Sequence, residues 1–181
     1  ISLHARTAVQ HYGGKADWGW IQAVKQAVGV PVIGNGDVTS SALAMELLRS
    51  TGCDGVMIGR GTLGNPWLLS STARQMQGVA EGERVIDWED FRETVHLHLD
   101  LLGSERRRPP GHYRKVLMWY SKGCPDSALL RSGLDRMQAL EEMLRSFDEW
   151  LRRRRDAEQN GITNGSRRNS EERGCEEKVQ E

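Results

Sequence analysis

The sequence predicts an α/β fold resting on a parallel sheet, then an all-helical segment and a disordered tail. Short apolar runs alternate with helix-period segments over the first third of the chain. After Trp67 the apolar residues recur at helical spacing, and from Arg152 almost none remain except Ile162 and Val179. Taken in order, Ile1–His4 is a short apolar run that reads as a strand. Trp18–Val28 follows, with Trp20, Ile21, Val24, Ala27 and Val28 at helical period behind Asp17 as N-cap. Val30–Ile33 reads as a buried strand closed by Gly34-Asn35-Gly36-Asp37. Ser40 or Ser41 caps a second helix, with Ala44, Leu47 and Leu48 on one face and Thr51-Gly52 at its end. Gly55–Ile58 is another buried strand, ending in Gly59-Arg60-Gly61. Strands this short and apolar between helices imply a parallel sheet covered on both faces, either an open doubly wound sheet or a barrel.

Beyond Gly64-Asn65-Pro66-Trp67, a short helix is expected over Leu68–Met76 and a polar linker over Gly78–Glu83. Asp87 opens a helical pattern through Phe91, Val95, Leu99 and Leu102. Gly103–Gly111, which holds three arginines and Pro109-Pro110, reads as a surface loop. Further helices are expected around His112–Lys122 and Asp126–Leu151, the latter broken near Ser132-Gly133. The Arg/Glu/Asn/Gly-rich stretch Arg155–Glu181 has too little to bury to offset its ordering entropy.

Composition excludes several classes. Lys and Arg number 25, matched by 25 Asp and Glu, so the chain is not a uniformly basic nucleic-acid binder. Cys53, Cys124 and Cys175 show no C-x-x-C spacing and leave an odd thiol, which argues against a disulfide framework or a zinc site. No apolar run approaches the ~20 residues of a membrane helix, so a soluble, cytoplasmic, monomeric protein is expected. His96 and His98, two apart on a helix, make a poor metal pair. The chain opens on Ile1, inside an expected strand, and so reads as a fragment.

The chemistry is expected at the strand ends. Two successive strands end in glycine turns, residues 34–37 and 59–61, and glycine lets backbone N–H groups approach an anion closely. A short helix over Leu63–Leu69 adds its dipole, Arg60 can pair with a phosphate, and Asn35 and Asp37 can hold ligand hydroxyls. His4 and Arg6 share one side of the first strand's carboxyl end, where they either meet an electron-rich ligand or close a salt-bridge network around Asp37.

The runs ISLHARTAVQHYGGKADW, PVIGNGD and TGCDGVMIGRGTLGNPW resemble the carboxyl-terminal part of the flavin-dependent tRNA-dihydrouridine synthases, B-type subfamily. KVLMWYSKG is similar to that family's helical domain. The resemblance implies the C-terminal portion of a (β/α)8 barrel over residues 1–77, a helical tRNA-binding domain over 84–154 and a disordered tail over 155–181. It also implies FMN as cofactor, NADPH as reductant and tRNA as partner, the reaction being reduction of the C5=C6 bond of uridines. The FMN positions it implies are His4, Arg6, Asn35, Gly36, Asp37, Gly59 and Arg60. The family's catalytic cysteine and flavin-contacting lysine belong to earlier strands with no counterpart in this sequence, so this chain alone is expected to be inactive. Cys124, in Gly-Cys-Pro, copies the catalytic tripeptide only superficially, Cys53 reads as a core residue, and Ala5 stands where glycine is usual.

Arg106, Arg107, Arg108, Arg114, Lys115 and Lys122, interleaved with His112, Tyr113, Trp119 and Tyr120, form a candidate RNA-binding segment. A solvated charge run over core aromatics is the competing reading. Arg152–Arg155 reads first as cations capping a helix end and second as an RNA contact. Two alternatives to the synthase remain: a small-molecule flavin-dependent barrel dehydrogenase, or a non-catalytic RNA-binding fragment.

Overall fold

A computed structural model describes residues 1–10, 13–79, 87–104 and 108–164, with side chains in the last helix described to Glu158. Among them are three strands, β1 (Ser2–His4), β2 (Ile33–Asn35) and β3 (Gly55–Met57). The helices are α1 (Gly19–Ala27), α2 (Ser41–Thr51), α3 (Trp67–Met76), α4 (Trp88–Ser104), α5 (Pro110–Tyr120), α6 (Ser127–Leu134) and α7 (Leu140–Asn164), with 3-10 turns at Ala8–Gln10 and Arg60–Thr62. The chain divides into two compact units. One is Ile1–Val85 with Val116–Cys124, and the other is Ile86–Lys115 with Pro125–Glu181.

The first unit is a parallel sheet of order β1-β2-β3, its register pairing Leu3 with Gly34 and Gly34 with Val56. Those three residues face α1 and α2: a Cβ added at Gly34 would come within 2.8 Å of Leu47 and 3.1 Å of Ile21. Ile21, Val32, Ala44 and Leu47 are completely buried on that side. The opposite face, with Ser2, His4, Ile33, Asn35 and Met57, is not covered by the described residues, and Met57 is 47% exposed. Cover was expected on both faces; among the described residues, the helices of this unit that pack on the sheet lie against one side.

The second strand is also displaced. It begins at Ile33 instead of Val30, since Pro31 has no N–H to give a ladder. The Asp54 carboxylate instead accepts from the Val32 N–H (2.7 Å) and Lys25 Nζ (2.7 Å). Of the two candidate caps, Ser40 starts α2, its hydroxyl accepting from the Leu43 N–H (3.1 Å), and Gly52 ends it in the left-handed conformation. Residues 63–66 form turns, so the helix expected over Leu63–Leu69 is not formed, and α3 starts at Trp67 behind Pro66. Val116–Cys124 joins this unit instead of the expected helical domain. Gly64 (φ +74°) lies so close to the Trp119 carbonyl that a Cβ would overlap it, and the Trp67 and Tyr120 rings meet edge to face at 6.2 Å.

The second unit is helical. Phe91, Val95 and Leu99 of α4 pack with Met143, Phe147 and Leu151 of α7, and the Phe91 and Phe147 rings stack at 6.4 Å. Leu130 and Leu134 of α6 are buried as well. The break expected at Ser132-Gly133 falls instead at 135–139, because burial of Leu134 carries α6 through the glycine. Helix α4 includes Gly103, and α5 starts at Pro110, a residue suited to a first helical turn. The disorder expected from residue 155 is corrected for 155–164, which continue α7; residues 165–181 lie outside the described residues.

Candidate functional site

Parallel register sets the carboxyl ends of the three strands side by side, His4 opposite Asn35 and Asn35 opposite Met57. Each strand runs on into a turn, and the three turns converge on Asp37. Arg6 Nη2 donates to Asp37 Oδ1 (2.6 Å) and Oδ2 (2.7 Å), the Ala16 N–H donates to Oδ2 (2.7 Å), and Arg60 Nη2 reaches Oδ1 at 3.2 Å. Arg6 is 4% exposed at its side chain and also donates to the Gly13 carbonyl (2.5 Å). Burial pushes the Asp37 carboxyl up, but the Arg6 hydrogen bond, the Ala16 N–H and the charges of Arg6 and Arg60 outweigh it and hold the group below its ordinary value.

Backbone conformation tightens this junction. Asp37 sits at φ +53°, a region that aspartate visits more readily than most residues. Gly36 (φ +149°) accepts from Trp18 Nε1 (3.0 Å), and a Cβ there would come within 2.6 Å of the Ala16 Cβ. A Cβ on Gly61 would overlap the Val38 carbonyl oxygen and lie 3.2 Å from the Thr39 Cα, so the third turn rests directly on the backbone leaving the second.

Both guanidiniums face the Asp37 carboxylate, Arg6 from the interior and Arg60, 51% exposed, from the surface. The junction can therefore accept an anion beside glycine-bearing backbone. Of the residues expected to meet a ligand, Asn35 Nδ2 donates to the Met57 carbonyl (2.6 Å), and Asp37 accepts from Arg6, Arg60 and the Ala16 N–H. His4 and Arg6 do not share one environment. His4 is exposed on the uncovered sheet face, whereas a tight turn (Arg6 N–H to His4 carbonyl, 2.8 Å) sends Arg6 into the interior. Sequence reasoning missed Ala16 and Trp18, which contribute an N–H and an indole that no spacing reveals, and it named Gly61 only as part of a glycine turn, not for its close approach to the Val38 carbonyl.

The candidate RNA-binding residues are divided between the units. Lys122 is in the first; Arg108, Arg114 and Lys115 are in the second; Arg106 and Arg107 lie outside the described residues. Arg114 is tied to Asp135, 3.4 Å from its carbonyl oxygen and 4.0 Å from its carboxylate. Lys115 and Lys122 are exposed, while Tyr113 and Tyr120 are buried and so are core residues, not base platforms. His96 bonds Asp148 (2.8 Å), burial lowers the pKa of His98, and no metal-binding cluster occurs among the described residues. Cys53 is buried, its thiol directed at the Gly55 carbonyl (3.3 Å), and Cys124 lies in the turn after α5. No helix among the described residues is long and apolar enough to cross a membrane.

Comparison with known proteins adds an independent line. Residues 1–155 match the family described as dihydrouridine synthase. A probable tRNA-dihydrouridine synthase of Rickettsia conorii is 37% identical over 156 residues, covering 81% of this chain and 46% of that protein. One from Mycobacterium leprae is 39% identical over 147 residues, covering 79% and 38% respectively. Another from Synechocystis is 37% identical over 143 residues, covering 78% and 40%. The chain thus spans less than half the length of these curated relatives.

Proposed function

Because the chain belongs to the dihydrouridine synthase family, we propose that it forms part of a B-type tRNA-dihydrouridine synthase, reducing the C5=C6 bond of tRNA uridines with FMN and NADPH. One observation carries the cofactor assignment: two glycine turns meet at the carboxyl ends of adjacent parallel strands, with the half-exposed guanidinium of Arg60 on the second turn. The chemistry of that donor set fits the phosphate of a flavin mononucleotide. FMN, when bound, supplies the hydride that reduces the uracil ring.

Within this chain, Gly59 and Arg60 would hold the phosphate, with Asn35, Gly36 and Asp37 shaping the neighbouring turn. Arg6 would act through Asp37, which it anchors, while His4 is the candidate to meet the flavin from the exposed sheet face. Neither cysteine among the described residues is suited to deliver the proton to C5, since Cys53 is buried and Cys124 lies outside the strand ends. In this reading the proton donor, with the rest of the barrel to which residues 1–77 contribute, belongs to other parts of the enzyme. Lys115 in the second unit and Lys122 in the first are each an exposed candidate for tRNA contact, and a tRNA substrate places the work in the cytoplasm.

The test is to incubate the natural full-length protein with unmodified tRNA, FMN and NADPH. A gain of two hydrogens on specific uridines, read by mass spectrometry, is the expected result. Reduction of free pyrimidines with tRNA untouched would replace this reading with the small-molecule dehydrogenase.

A further inference from the structure

Helix α7 changes the meaning of the basic run Arg152–Arg155. As cations at a helix end these residues would answer the macrodipole, but α7 continues to Asn164, more than two turns farther on. Two of the four are neutralised along the helix: Arg153 pairs with Glu149 (2.7 Å) and Arg154 with Glu158 (3.4 Å). Arg152 has no ion-pair partner among the described residues, and Arg155 touches only its sequence neighbour Asp156, at 3.5 Å. Three apart, Arg152 and Arg155 lie on one helical face.

That face opens on a cavity of about 240 Å³ between α4 and α7, within the second unit, lined also by Trp88, Arg92 and Leu151. The two acids at its wall are already engaged: Asp148 accepts from Arg92 (3.2 Å) and bonds His96 (2.8 Å), and Glu89 pairs with Arg92 (3.0 Å). The Trp88 ring is held at two points, its N–H donating to Glu158 (2.9 Å) and the ring meeting Phe91 in a T-shaped pair at 5.9 Å. A positioned indole beside Arg152, which has no ion-pair partner among the described residues, and the exposed Arg155, which meets only the adjacent Asp156, offers a stacking surface with phosphate-binding charge.

We propose that this cavity binds one unpaired nucleotide of an RNA, its base on Trp88 and its flanking phosphates on Arg152 and Arg155. The proposal rests on the tRNA reading above and adds a contact that the cations of residues 106–122 do not supply. Arg152 and Arg155 are exposed, so replacing both with alanine is expected to leave the fold intact. In the natural full-length enzyme, the double variant should bind an unmodified tRNA transcript at least tenfold more weakly. It should also lose about 1.4–1.8 from the log–log salt slope, the equivalent of two phosphate contacts. Trp88→Phe keeps a ring in place and should weaken binding several-fold with the slope unchanged, while removing a tRNA-quenched component of the tryptophan emission. Parental affinity and slope in the double variant would overturn the cavity site while leaving the tRNA reading intact. A parent enzyme with no affinity for tRNA would overturn both.

Discussion

Arg60 and Asp37 sit on opposite sides of the line between ligand contact and internal brace. Arg60 is half exposed and lies 3.2 Å from Asp37, so its guanidinium is at the surface where an anion can reach it. Arg60→Ala should therefore cost flavin affinity, about ten- to hundredfold for one lost charge-assisted bond of ~1.5–3 kcal/mol, and leave the melting temperature nearly unchanged. Equilibrium flavin titration of the full-length enzyme, beside its thermal unfolding, separates those effects. Asp37 is the opposite case. Asp37→Asn strips the charge partner from the nearly buried Arg6 and should destabilise by about 3 kcal/mol or more. The sign with pH follows from the depressed carboxyl: its stabilisation is complete above the ordinary carboxylate range, about 4, and is lost as pH falls through the lower folded value. Acid unfolding of the parent should include this loss, and in Asp37→Asn that part of the pH dependence should vanish.

Single positions decide where elements begin and how closely they pack. Ser40 holds extended backbone (φ −141°, ψ 161°) and caps α2 through Leu43, so Ser40→Ala should cost about 1 kcal/mol, measurable by denaturant unfolding. Gly64→Ala should be worse, because its left-handed φ of +74° and its contact with the Trp119 carbonyl both resist a side chain. A loss of about 2 kcal/mol or more is expected, and an unchanged unfolding midpoint would mean that the loop does not rest on α5 in this way. In α7 the buried stripe Met143, Phe147, Trp150 and Leu151 holds the helix against its neighbours, and the ion pairs of Arg153 and Arg154 support the turns beyond it. The tail composition had suggested disorder there, because local apolar content does not register helix-spanning charge pairs.

At the scale of the molecule, one face of the three-stranded sheet stands bare among the described residues. Ile33 and Met57 are 38% and 47% exposed on the uncovered face, and β1 is an edge strand beside an apolar hollow of about 370 Å³ that includes Leu3, Ala5, Trp20 and Val24. An open edge and a bare apolar face invite association. The isolated 181-residue polypeptide should therefore bind a hydrophobic dye, sediment as more than one copy and reduce no tRNA uridine. A clean monomer that does not bind the dye would show that the face is covered by other means. The order of strands and helices, the Gly52 cap and the two glycine turns were legible in the sequence, because each depends on local periodicity or on one residue's backbone freedom. A salt-bridge network of Arg6 around Asp37 was among the readings the sequence offered, but that Arg6 is buried in it while Arg60 stays half exposed was not legible. Membership of Val116–Cys124 in the sheet unit was equally invisible, resting on Gly64 meeting Trp119 across more than fifty residues. By itself the sequence determined the elements and the residues at their ends, since hydrophobic period and turn chemistry act over a few neighbours. Only the tertiary structure decided which charges neutralise one another and which remain for a ligand, because ion pairing depends on distances in space that strand register and helix packing create.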